Sequence, residues 1–322
     1  MTTFGLQLPS FTFPDVPDDR LFDRITEIAQ AAESSGFDSF WVMDHYHQIR
    51  NIGPASDPML EAYTLLGAVA ARTSRVMLGT MVTGVTYRNP AFLAKAVTTL
   101  DVVSSGRAIL GIGAAWNEEE SLAYGYDWPS TSERFERLED ALRICRMMFS
   151  QQRSTFRGEK HHIDDAFNIP QPVQAGGPKI LIGGGGEKKT LRLVAQYADM
   201  WNGFGDPDTV RHKIQVLSDH CADVGRDPSE IVKTRLGTLF VATTEKEATA
   251  RRESFKARRG VDDAELPSMF TCGVPEAVGD AVQTFIDAGL DGLIFNMPPG
   301  SSPEEVERAG RTLTERFGPR RA

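Results

Sequence analysis

A chain of 322 residues, 41% hydrophobic and 25% charged, buries enough apolar surface for one large domain. Its formal net charge of −9 gives no broad attraction to phosphate backbones or anionic bilayers, which disfavours nucleic acid and membrane partners. No apolar run is long enough to span a bilayer and the first residues lack the basic and apolar regions of a secretory signal, so a cytoplasmic location is expected.

The first apolar strand, residues 4–8, is followed by a Pro-rich loop and by Leu21, Ile25, Ile28, Ala29 and Ala32, which share one helical face closed by Gly36. The run 37–43 has no room for a hairpin return, so the helix before it is a crossover between parallel strands. The unit repeats with a helix at 59–72, a strand at 75–82, and a helix capped by Asn89 with Pro90 at its first position. Strand four, residues 107–112, leads through a polar loop to a helix opened by Ser130 and Glu133 as a capping box, with Phe135, Leu138, Leu142, Cys145 and Phe149 on one stripe.

Between 150 and 178 the periodicity fails, and Gly158, Pro170, Pro172, Gly176 and Gly177 predict an inserted hairpin and loop over one barrel end. A buried strand resumes at 179–182, then four glycines, then a helix carrying Leu191, Leu193 and Val194. Strand six at 199–202, a helix at 207–224 and strand seven at 231–241 follow. Residues 245–259, rich in Lys, Arg, Glu and Ala, predict a solvated helical insertion covering the site. A helix at 275–288, strand eight at 291–296 and a helix at 303–317 complete the count. An open doubly wound sheet alternates in the same way, but its glycine turn after strand one is replaced here by Pro9, Pro14 and Pro17. The expected fold is a single (β/α)8 TIM barrel over residues 1–322, with insertions after the fourth helix and after strand seven, and with its chemistry at the carboxyl ends of the strands.

Strand two ends in Asp44, His45, Tyr46 and His47, an acid and two imidazoles suited to proton transfer near neutrality, or else a capping Asp with surface histidines. His45 and His47 alternate faces and no second paired cluster accompanies them, so no metal is expected. Cys145, Cys221 and Cys272 are odd in number and far apart, which predicts reduced packing residues. Strand three ends in Thr80, Met81, Val82 and Thr83, and strand four in Gly111, Ile112 and Gly113, so a planar ligand has room between them, with Trp116 as a wall. The acidic run 118–120 reads as a solvated loop. Gly183, Gly184, Gly185 and Gly186 join a buried strand to a helix, where open backbone amides attract phosphate, and Lys188 and Lys189 add positive charge.

Five segments together resemble the bacterial luciferase-like superfamily, and within it the oxidoreductases that use the deazaflavin coenzyme F420. They are Trp41-Val42-Met43-Asp44-His45, Leu78-Gly79-Thr80-Met81-Val82, Arg88-Asn89-Pro90-Ala91, Ser105-Gly106-Arg107 with Leu110-Gly111-Ile112-Gly113, and Gly183 to Lys188. The resemblance implies that Asp44 and His45 lie beside the reactive ring as the catalytic pair. It implies a non-proline cis peptide between Met81 and Val82, bulging against the back of the ring. It assigns the cofactor phosphate to Gly183 through Gly186, and the ring or its tail to Thr83, Trp116 and Asn117. One departure weighs against glucose 6-phosphate: sugar-phosphate dehydrogenases of the superfamily place an acidic catalytic residue just after strand four, where this chain has Ala115 and Trp116, and Glu118, Glu119 or Glu120 would have to supply a displaced acid.

The expected activity is hydride transfer between coenzyme F420 and a small-molecule substrate, in a homodimer as the resemblance implies. An FMN-dependent monooxygenase is the first alternative, and a non-catalytic flavin-binding protein the second.

Overall fold

The computed structural model describes residues 2–318. The chain runs through β1 (Thr3–Leu8), α1 (Leu21–Ser35), β2 (Ser39–Val42), α2 (Ala62–Ala70), β3 (Met77–Thr80), the two-residue β4 (Thr83–Gly84), α3 (Pro90–Val103) and β5 (Ala108–Gly113). It continues with α4 (Glu118–Ala123), α5 (Thr131–Ser150), a hairpin of β6 (Arg153–Arg157) and β7 (His162–Phe167), β8 (Lys179–Gly183), α6 (Thr190–Tyr197) and β9 (Met200–Gly203). The last part is α7 (Pro207–Val224), β10 (Val232–Val241), α8 (Glu245–Arg259), β11 (Phe270–Gly273), α9 (Pro275–Asp287), β12 (Gly292–Asn296) and α10 (Pro303–Phe317).

Eight parallel strands pair in the order β1, β2, β3, β5, β8, β9, β10, β12, and β12 pairs back to β1, closing the (β/α)8 barrel expected from the sequence. Strands covered on both faces read as continuous apolar runs, and Ile180, Leu181 and Ile182 of β8 are fully buried. Inside the barrel, Trp41, Ile109, Leu181 and Ile294 form one cluster, with Met81, Val82 and Leu236 packed against it. Trp41 fits because position 79 has no side chain: a Cβ on Gly79 would come within 2.6 Å of the indole.

The helix starts follow the cap chemistry. Asn89 accepts from the N–H groups of Ala91 and Phe92 ahead of Pro90. Ser130 accepts from the Glu133 N–H, but the reciprocal half of the expected box is missing because the Glu133 carboxylate pairs with Arg137 at 2.7 Å. The complete box forms at Ser302 and Glu305.

The first insertion is the antiparallel hairpin of β6 and β7. Its return segment places Gln174 Nε2 2.8 Å from the carbonyl of Ala108, the first residue of β5, and 2.6 Å from Asp101. It therefore covers the amino end of the barrel, where a helix-to-strand connection must lie, and contributes nothing to the mouth. The second insertion is α8 with β11; β11, a strand not expected from the sequence, adds parallel to the far half of β10 and holds α8 through Phe255 stacked on Phe270 at 4.5 Å. Cys145, Cys221 and Cys272 are free thiols. Among the described residues no helix is long and apolar enough to cross a membrane.

Candidate active site

All eight barrel strands send residues at or beyond their carboxyl halves to two joined cavities. One, of about 330 Å³, is lined by Val82, Gly113, Gly183, Gly184, Thr190 and Asn202 among others. The second, of about 480 Å³, takes Gln7 and Pro9 from β1, Met43 after β2, Gly237 from β10 and Asn296 from β12. His45, Met81, Trp116, Phe204 and Leu236 line both, so His45 stands where the two meet.

His45 Nδ1 lies 2.6 Å from Glu120 Oε2. Glu120 is fully buried. Its Oε2 also accepts from the Tyr87 hydroxyl at 2.6 Å and Asn117 Nδ2 at 3.3 Å, and its Oε1 from the backbone N–H groups of Tyr46 and His47. Burial pushes this carboxyl up, but the hydrogen bonds from His45, Tyr87 and Tyr46 outweigh it and hold its pKa at about 2. An ionised acceptor requires a proton on Nδ1, which leaves Nε2 as the ring nitrogen for a ligand. Tyr46 packs on Tyr87 at 5.0 Å and on Tyr124 at 4.8 Å, a cluster that keeps water from the carboxylate.

Asp44, expected beside the reacting ring, lies outside both cavities and is committed elsewhere. Arg88 grips it with Nη1 on Oδ2 at 2.5 Å and Nη2 on Oδ1 at 3.1 Å, and the Thr83 hydroxyl donates to Oδ2 at 2.7 Å. Burial pushes Asp44 up and Arg88 opposes it; burial likewise depresses Arg88, and Asp44 more than offsets that, leaving Arg88 above its ordinary range. The pair is a buried brace under His45. Thr83 belongs to that brace, with Tyr63 Oη at 2.9 Å, rather than to a cavity wall.

The peptide between Met81 and Val82 is cis, as the resemblance implies. Gln7 Nε2 holds the Met81 carbonyl at 3.2 Å. Val82 drops onto Gly113 and Gly183, where a Cβ would come within 3.1 Å of its methyls. The glycine turn is fastened by Gly184 N–H to Asn202 O and by Trp201 Nε1 to Gly184 O, at 2.9 and 2.8 Å. Its φ of +124° at Gly184 is a conformation side chains rarely adopt. From Gly185 to Lys188 the backbone N–H groups donate to no acceptor among the described residues. Lys213 of α7 reaches this turn and pairs with Glu187 at 2.6 Å. A cavity floored by glycine and Val82, lined by Gly184 and Thr190 at either side of these free amides while Gly185 and Gly186 do not line it, suits a flat ring with a phosphate-bearing tail.

Met81, Val82, Gly183, Gly184, His45 and Trp116 thus line the cavities, with Trp116 edge-on to His45 at 5.6 Å. Asn117 does not line them; its side chain caps α4. The acidic run expected as solvated loop is the first turn of that helix, and its third member, Glu120, is the buried one. The spacing Asn117 to Glu120 is a helix-start signature and could have revealed α4, though not which glutamate turns inward.

The chain matches the family model described as luciferase-like monooxygenase over residues 2–261. It belongs to that family. It is 37% identical over 307 residues to an F420-dependent glucose-6-phosphate dehydrogenase of Amycolatopsis mediterranei, covering 85% of this chain and 88% of that one. It is 29% identical to the enzyme of the same description from Kineococcus radiotolerans, covering 85% and 87%. Among solved structures, the coenzyme F420 dependent tetrahydromethanopterin reductase of Methanopyrus kandleri superposes with a TM-score of 0.81 at 18% identity, covering 98% of this chain and 99% of that one, a likeness of fold.

Proposed function

We propose that this protein is an oxidoreductase that moves a hydride between coenzyme F420 and a small organic substrate. The observation that carries the reading is the meeting of two cavities at His45, one floored by glycine and Val82, the other walled mainly by apolar side chains. The deazaflavin rather than FMN is supported by the 37% identity to the Amycolatopsis enzyme. When bound, the deazaflavin ring supplies or accepts the hydride at a ring carbon.

The residues of the chain have three tasks in this reading. Val82, Gly113 and Gly183 support the ring, while the free amides from Gly185 to Lys188, with Lys213 nearby, take the phosphate. His45, its Nδ1 proton held by Glu120, exchanges a proton with the substrate oxygen at Nε2. Trp116, Phe204 and Leu236 exclude water where the two cavities join. Asp44 takes no proton and positions the segment through Arg88.

A cytoplasmic location and a homodimer belong to the same proposal, with Phe92 of α3, Phe167 at the end of β7 and Ile169 just beyond it as exposed apolar side chains; light scattering of the purified chain tests the dimer. Side-by-side fluorescence titration with oxidised F420 and with FMN tests the cofactor. Tighter binding of F420 is expected. Tighter binding of FMN would move the reading to monooxygenation, and binding of neither would end the assignment of the glycine turn.

A further inference from the structure

The basic residues of α8 divide into two sets. Arg251 pairs with Glu305 at 3.3 Å, Arg252 with Glu245 at 3.6 Å, and Lys256 with Asp263 and Glu253 at 2.7 Å each. Lys246, Arg258 and Arg259 have no carboxylate partner among the described residues, and of these Lys246 lies in the first turn, away from the cavity. Arg259 Nη1 donates to the Asn51 carbonyl, and the Arg258 guanidinium lies 5.7 Å from the Phe255 ring. These two are also the members that line the 480 Å³ cavity.

Among the described residues no Asp or Glu lines that cavity, in a chain of net charge −9, and its basic lining is Arg258 and Arg259 with the His45 imidazole. At the rim, the only other cation among the described residues, Arg50, is already paired with Glu119 at 2.6 Å. Burial and the charge of Arg259 both lower the Arg258 pKa, so an anion there would relieve a repulsion within the pair. A last-turn position favours cations by itself through the helix dipole, but that effect does not require two guanidinium groups facing a cavity. The walls between are apolar, with Ile49, Ile52, Met269 and Met297. At the barrel floor Gln7 is 2% exposed, its nitrogen is committed to Met81 O, and its Oε1 has no donor. An orphaned buried acceptor calls for a ligand that donates.

We propose that the larger cavity takes a small organic anion with an apolar body, its anionic group held by Arg258 and Arg259 and a hydrogen-bond donor at its other end facing Gln7 Oε1. This rests on the reading above, in which the smaller cavity holds the cofactor and the larger one the substrate. Paired guanidinium groups bind oxyanions with charge-assisted, shape-matched hydrogen bonds, and an apolar wall favours a hydrocarbon body over a sugar.

The experiment is calorimetric titration with 4-(4-hydroxyphenyl)butyrate, whose phenol supplies the donor for Gln7, its neutral amide 4-(4-hydroxyphenyl)butanamide, and glucose 6-phosphate, each against wild type, R258M/R259M and R258K/R259K. The acid is expected to bind wild type about tenfold or more tightly than the amide, and more tightly than glucose 6-phosphate. That preference should vanish in R258M/R259M and persist, weakened, in R258K/R259K, which also guards against misfolding of the methionine variant. Equal binding of acid and amide, binding of neither, or a preference that survives in R258M/R259M would overturn the proposal. Tighter binding of glucose 6-phosphate would overturn the apolar body. The same samples are titrated with F420. Neither arginine lines the smaller cavity, so F420 affinity should be equal in all three proteins, and its absence would sink the cofactor reading while the charge preference is read independently.

Discussion

His45 and Glu120, 75 positions apart, are joined through Nδ1 and Oε2 at 2.6 Å, the carboxylate wholly buried and the imidazole at the junction of two cavities. The loop after β2 supplies the ring and the first turn of α4 supplies its anchor, so the imidazole is oriented from behind by a fully buried carboxylate.

Replacement of His45 by Asn preserves bulk while removing Nε2. Cofactor reduction by any substrate of the wild type should slow by about 10²–10⁴-fold, with F420 affinity changed no more than severalfold. Stopped-flow absorbance together with the fluorescence titration separates the two. A rate within a factor of a few of wild type would remove His45 from the reaction.

Glu120 links this site to acid stability. Its pKa falls from an ordinary 4.5 to about 2 on folding. A depressed folded-state value stabilises above the unfolded one, and that contribution is lost as pH drops from about 4.5 toward 2. Its size is on the order of 3 kcal/mol. E120Q should therefore be about 2–3 kcal/mol less stable at pH 7, with the gap to wild type narrowing in acid. Urea unfolding at a series of pH values measures this, and a gap independent of pH would contradict it.

Arg88 and Asp44 form a buried pair, with side chains 8% and 1% exposed. Arg88→Met leaves the carboxylate without its cation and should cost about 3–5 kcal/mol, of which the double change with Asp44→Asn recovers part. Denaturant titration of the singles and the double reads the coupling. Additive losses would show that the pair does not act as a unit.

Gly184 and Gly176 make a matched comparison, with φ of +124° and +80°. Alanine at either should cost roughly 1–2 kcal/mol of stability through the backbone alone. Only Gly184→Ala, in the glycine turn, should weaken F420 binding, by about tenfold. Gly176 lies in the segment that returns along the amino end of the barrel, so its variant should bind the cofactor as wild type does.

The barrel was legible because each signal was local. Asn89 with Pro90 marked the start of α3, the three apolar residues 180–182 marked β8, and residues 207–224 and 303–317 coincide with α7 and α10. Such signals depend on side-chain period and on the few residues around a helix start. β11 escaped because four residues pairing parallel to a distant strand carry no period of their own, and α4 because three successive glutamates read as solvated.

The sequence by itself determined the alternation of strand and helix, the placement of Met81, Val82, Gly183 and Gly184 at strand ends, and His45 as a candidate. Tertiary structure alone decided which of two adjacent residues faces the cavity: Asp44 turns under the barrel mouth to Arg88, and His45 turns toward the ligand space. It also decided which of three glutamates is buried, and which two of α8's cations border the larger cavity. The reason is physical. Burial and hydrogen-bond satisfaction at these positions depend on partners far away in the chain, Glu120 for His45 and Asn51 for Arg259, and no local pattern encodes such distant partners.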